Sequence, residues 1–206
     1  MPKTAEQNAT IRSARRRQIL DAAIRIFAQM GFAEASVADI ASAARAGHGT
    51  LFLYFSTKEA LFRAAVLEPL SELERAFTFA APSSTPPIEA IRGMVRAQVA
   101  FVSRQTSYFR LTQYVLGLRD RFPDQAERLF AVSDRFTEQL VPVIEAGQRA
   151  GELAPGKPDV IAQAYLALLT GLGLTVLGEP ADSPLWHRLA AMGIRLFGPL
   201  VEVHDP

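Results

Sequence analysis

Residues 36 to 55 read SVADIASAARAGHGTLFLYF, and their spacing sets two short helices on either side of a tight turn. Ser36 is a good N-cap, Asp39 stands at the third helical position where a carboxylate suits the helix dipole, and Val37, Ile40, Ala41 and Ala44 form one apolar face. That helix is expected to end by about Ala44. After Arg45-Ala46-Gly47 a second helix of roughly seven residues begins, with Leu51 and Phe55 four apart and on one side. Two short helices joined in this way make a helix-turn-helix. Ser56 and Glu59 then have capping-box spacing and are expected to start another helix.

Helical periodicity continues in both directions. Upstream, Ile19, Ala23, Ile26, Phe27 and Met30 hold one face until Gly31 supplies a stop, which predicts a first helix over about 11–30. Downstream, the stripes run through Ile88, Ile91, Val95, Val99 and Val102, then Leu129, Phe136, Leu140 and Val143, and finally Leu185, Leu189, Met192, Leu196 and Leu200. Two-residue alternation is absent, and Asn8 is the single asparagine, so hairpin turn chemistry is missing. The predicted fold is all-α. Residues 81–87 and 151–158 gather Pro and Gly and read as loops, while Pro123 opens a long helix that Pro142 is expected to interrupt. Pro69 falls inside a helical stretch over about 57–80 and predicts a kink near Glu68.

The 206 residues suffice for a well-filled core, and 49% hydrophobic against 21% charged is ordinary globular usage. The absence of cysteine excludes a disulfide framework, a Cys-ligated metal site and thiol catalysis. No apolar signal-peptide segment opens the chain, so cytoplasm is the expected compartment. Residues 160–178 carry no charge over nineteen positions, close to membrane-spanning length. Gln163, Tyr165, Thr170 and Thr175 within it, and flanks without a cation cluster, favour burial in a core or against a partner chain instead, with no membrane. The net charge of +1 conceals an asymmetry. Residues 1–63 hold nine Lys+Arg against five Asp+Glu, and the remainder holds thirteen against sixteen. Lys3, Arg12, Arg15, Arg16 and Arg17 oppose only Glu6, a basic arm that suits a polyanion, or else a frayed, solvated terminus.

With these residues in view, the sequence resembles the TetR/AcrR family of bacterial transcriptional regulators. The resemblance rests on Ile19-Leu20-Asp21-Ala22-Ala23, Phe27, Gly31-Phe32, Ser36 to Ala41, Gly49 to Phe55 and Lys58 to Leu61, in order and spacing. It implies a helix-turn-helix DNA-binding domain over 1–62, and a helical effector-binding and dimerisation domain over 63–206. It also implies a homodimer whose second short helix enters the major groove at each half of a palindromic operator in double-stranded DNA. By the same resemblance Tyr54 and Lys58 would contact phosphates, Thr50 a phosphate or base edge, and Gly49 would admit the backbone closely; Ser36 would cap its helix beside the DNA. The chain departs from the family pattern at Arg45, where glycine is frequent, at Gly47, where a capping Ser or Thr is frequent, and at Phe52 and Leu53. Apolar contacts to thymine methyls, with Arg45, His48 and Arg15, Arg16 and Arg17, are then expected to carry more of the readout.

The larger domain is expected to hold a pocket for a small-molecule effector, apolar or amphipathic, with Met94, Gln98, Phe101, Tyr108, Phe109, Gln113 and Tyr114 as lining candidates. Each also reads as simple core. Two last helices, over about 158–178 and 183–200, are the candidate dimer interface, through Ala164, Ala167, Gly171, Leu185, Leu189, Met192 and Leu196, with Trp186 as anchor. Two rivals remain: a constitutive DNA-binding protein without effector, and a helical enzyme. The second lacks support. No nucleophile-elbow, phosphate-loop or zinc-protease motif occurs, no Glu-x-x-His pair exists, and the only histidines are His48, His187 and His204. No catalytic residue, metal or cofactor is therefore expected.

Overall fold

A computed structural model describes residues 5–79, 84–176 and 178–198. Among these residues there are ten helices and no strand: α1 (Ala5–Glu34), α2 (Val37–Ala43), α3 (His48–Phe52), α4 (Lys58–Leu67), α5 (Leu70–Ala76), α6 (Pro87–Arg104), α7 (Thr106–Gly117), α8 (Pro123–Arg149), α9 (Pro158–Thr175) and α10 (Pro184–Arg195). The all-α expectation holds, with several shifts in detail. The first helix begins at Ala5 and not near residue 11, so Arg15, Arg16 and Arg17 lie within regular helix. Regular geometry is broken at Gly31, whose φ is 75°. Thr57, one residue after the expected Ser56, caps α4, its Oγ1 accepting from the Ala60 N–H at 3.0 Å. The kink predicted near Glu68 is a complete break, with α4 ending at Leu67 and α5 starting at Leu70. Pro142 does not interrupt α8. The carbonyl that it deprives of a donor belongs to Glu138, a solvent-exposed residue, where a lost backbone bond costs less than in the core. Lys3, residues 81–83 of the first loop, and Leu200 lie outside the described residues.

The chain separates into two units whose division differs from the expected cut at residue 62. One comprises Met1–Leu70 with Ser107–Ala126, the other Ser71–Thr106 with Glu127–Pro206. In the first unit α1 packs on α2 and α4, and α2 on α3. Ile19, Phe27, Ile40, Leu51 and Leu61 are fully buried there, joined from α7 by Leu111 and Val115. Phe27 meets Phe62 edge-on at 5.0 Å, and Phe62 lies 4.7 Å from Phe122, which follows α7. The helix-turn-helix is thus built on an aromatic core that a distant part of the sequence completes. The Tyr108 hydroxyl donates to the Val66 carbonyl at 2.8 Å in the same unit.

In the second unit α6 packs on α9 and α10. Tyr165 is fully buried, and burial raises its pKa, so the hydroxyl stays protonated and donates to Gln98 Oε1 at 2.7 Å. The Gln98 amide in turn donates to the Ala76 carbonyl. A core glutamine is tolerable because both ends of its amide are used.

Candidate nucleic-acid interface

The helix-turn-helix is shaped by its caps. Ser36 Oγ accepts from the Asp39 N–H at 3.1 Å while Asp39 Oδ2 accepts from the Ser36 N–H at 3.0 Å, the reciprocal pair expected of a capping box. The Ser36 side-chain and backbone hydrogen bonds hold the Asp39 carboxyl below its usual range. At the other end, the Arg45 N–H donates to the Ser42 carbonyl at 3.0 Å and the Ala46 N–H to the Ala41 carbonyl at 2.9 Å. This pair of bonds is a Schellman closure, and it puts Arg45 at the left-handed position with φ 47°. The family preference for glycine at that point therefore has a backbone reason, which Arg45 overrides at a cost in strain.

The N-cap of α3 is Gly47, which has extended geometry and no side-chain cap. Leu51 is fully buried and Phe55 nearly so, whereas Leu53 is 75% exposed and Phe52 43% exposed. His48 stands edge-on to Phe52 at 5.1 Å. An exposed apolar pair beside Gly49, with Arg45 exposed at one end, is a surface that the unit's own core does not use. A Cβ on Gly49 would meet nothing within 4 Å. Thr50 and Tyr54 are half-buried.

The flanking cations divide into two groups. Arg17 is exposed on α1, and Arg15 donates to Gln18 one turn on. Arg16 is already engaged: its guanidinium forks onto Glu68 and lies 4.8 Å above the Phe55 ring. The hydrogen bonds it donates to Glu68 raise its pKa. Lys58 is anchored too, its Nζ donating to the Ala33 carbonyl at 3.2 Å and lying 4.6 Å above Phe32. Sequence spacing gave no hint of Glu68 as the partner of Arg16, since the two are 52 residues apart. An ammonium has three donors, so Lys58 keeps others for a ligand.

The fold and site can now be set beside known proteins. Residues 19–65 match the model described as bacterial regulatory proteins, tetR family, and residues 84–173 match a tetracyclin repressor-like C-terminal domain. An HTH-type transcriptional repressor of Mycobacterium tuberculosis is 43% identical over 198 residues, covering 93% of this chain and 94% of the relative. This chain belongs to the TetR family. As a TetR-family protein it is a DNA-binding transcriptional regulator and not an enzyme. The nicotine-responsive transcriptional repressor HdnoR of Paenarthrobacter nicotinovorans is 27% identical over 82% of this chain and 86% of its own length. Among solved structures, a TetR-family regulatory protein from Rhodococcus shares the fold with a TM-score of 0.71 and 24% identity, over 89% of this chain and 97% of that one. AibR, solved in complex with isovaleryl coenzyme A and operator DNA, does so with a TM-score of 0.66 and 20% identity, over 90% of this chain and 98% of that one.

The expected effector residues of this TetR-family chain fall on two helices, α6 and α7. Tyr108, Phe109, Gln113 and Tyr114 belong to α7 and to the DNA-binding unit, whereas Met94, Gln98 and Phe101 belong to the other. The polar groups of Gln98 and Tyr108 are taken up inside the protein. Tyr114 accepts from the Phe32 N–H at 3.0 Å, and its ring fills the space where Gly31 lacks a side chain. Met94 and Phe109 are buried and Phe101 is half-buried. Helical spacing identifies an inward face without saying which cavity, if any, it meets.

The expected dimer residues separate more sharply. Ala164, Ala167, Met192 and Leu196 are exposed, and Gly171, Leu185 and Leu189 are half-buried. With Val160 and Leu174, each more than half exposed, they form apolar stripes on α9 and α10. Trp186 is corrected. It points inward at 4% exposure, with its indole N–H donating to the Pro180 carbonyl at 2.9 Å, so it anchors the core and not the outer stripe. No described helix is long and apolar enough to cross a membrane.

Proposed function

We propose that this TetR-family regulator is a ligand-released repressor that binds a palindromic operator as a homodimer in the cytoplasm, with α3 as its reading helix. The observation that carries the proposal is the division of α3 itself: Leu51 is fully buried while Phe52, Leu53 and Gly49 face outward with no use in the fold. Phe52 and Leu53 suit thymine methyl groups, and His48 and Arg45 supply the polar contacts. Gly47 and Thr50 lie at the start of α3, where phosphate approaches backbone N–H groups, and Tyr54 and Lys58 grip the flanking backbone. Arg15 and Arg17 are the arm cations offered to phosphate, whereas Arg16 positions α1 through Glu68 and Phe55.

Dimerisation is supported by the apolar stripes of α9 and α10, and release by effector is supported by a relative named as nicotine-responsive and by AibR bound to an acyl-coenzyme A. Neither ligand is carried over to this chain. In vitro operator selection with the full chain tests the reading: an enriched palindrome is expected, and no enrichment at low salt overturns it. Lys58→Ala should weaken binding to all sequences alike and lower the slope of log affinity against log salt by about one unit. An unchanged slope removes Lys58 from the phosphate contacts.

A further inference from the structure

α6 and α10 touch where Gly193 lies against Val95, and along the rest of the pair a groove of about 460 Å³ opens between Arg96–Arg104 and Ala181–Ala190. Its floor is apolar. Val99, Trp186 and Ala190 line it at 2%, 4% and 7% exposure, and the indole N–H donates to the Pro180 carbonyl. The α6 wall follows a four-residue repeat, Arg96, Ala100, Arg104, which places all three on one line of the helix. The two arginines are about 12 Å apart along the axis, and the small Ala100 leaves the space between them open. Neither has an ion pair among the described residues. Two exposed arginines beside a mostly apolar floor form a site that attracts negative charge at one edge and apolar groups at the other.

We infer that this groove binds a small amphipathic anion, with its apolar body on Trp186, Val99 and Ala190 and a carboxylate held by Arg96 and Arg104. Guanidinium forks match a carboxylate in two parallel hydrogen bonds, which gives orientation as well as attraction. Asp182 is the one acid among the lining residues, and it stands across the groove on the segment leading into α10. Its charge turns the head group toward α6. The site is separate from the proposed dimer face. Helical rotation puts His187 on one flank of the inward Trp186, Ala190 and Gly193, and Leu185, Leu189, Met192 and Leu196 on the other. The inference stands on the second unit alone and does not depend on DNA binding.

Trp186 is the sole tryptophan, so its fluorescence reports the groove directly. The full-length protein is titrated without DNA against decanoate, decan-1-ol and decylammonium. Decanoate should give a saturable change in emission and decylammonium none. R96Q/R104Q should weaken decanoate about tenfold while decan-1-ol shifts by less than about twofold. Ala100→Met, which fills the gap between the arginines, should weaken both. No saturable response to decanoate in the natural chain overturns the proposal. So does a double variant that binds decanoate as before, since the ligand then sits elsewhere, or one that loses decan-1-ol equally, since charge is then not what the arginines read.

Discussion

Gly49 is a residue whose value lies outside the fold. Its missing side chain faces open space, so alanine there should stabilise the protein by about 0.5–1 kcal/mol through helix propensity. If the α3 backbone approaches DNA, the same methyl group should weaken operator binding. Gly49→Ala is therefore expected to raise the denaturation midpoint and lower affinity in a gel-shift titration. A rise in both would place the DNA away from this face. Gly31 shows the opposite logic, since its φ of 75° and the Tyr114 ring within 2.9 Å of a would-be Cβ both demand glycine. Tyr114→Phe keeps the ring but leaves the Phe32 N–H without its acceptor, and a loss of about 1–2 kcal/mol in urea unfolding is expected. A change near zero would mean that water reaches that amide.

The turn between α2 and α3 is where local preference and function pull apart. Its Schellman closure puts Arg45 at φ 47°, a conformation that a side chain disfavours. Arg45→Gly should relieve the strain and stabilise the unit by about 0.5–1 kcal/mol. It should also weaken operator binding, because the turn loses its exposed cation beside α3. Thermal unfolding and a salt-dependent binding series on this one variant separate the two effects. Unaltered affinity at every salt concentration would confine Arg45 to the surface. The caps of α2 were legible because Ser36 and Asp39 are local, whereas the start of α4 was misplaced by one residue because Ser56 and Thr57 are both competent caps.

For the whole molecule, the apolar stripes of α9 and α10 predict assembly. Val160, Leu174 and Met192 are each more than half exposed, an arrangement that water disfavours unless a second copy covers it. L174E/M192E should shift the sedimentation mass from two chains to one and make thermal unfolding independent of protein concentration. A natural chain that is already monomeric at micromolar concentration would remove the dimer from the proposal. The sequence by itself determined the all-α class, the helix-turn-helix and its outward residues, because each follows from spacings within a few residues. It did not determine the extent of the DNA-binding unit, the partners of Arg16, Lys58 and Tyr114, the inward turn of Trp186, or the groove beside Arg96 and Arg104. Those depend on residues brought together from distant parts of the chain. Helical periodicity states that a face is apolar, but only tertiary packing decides what covers it.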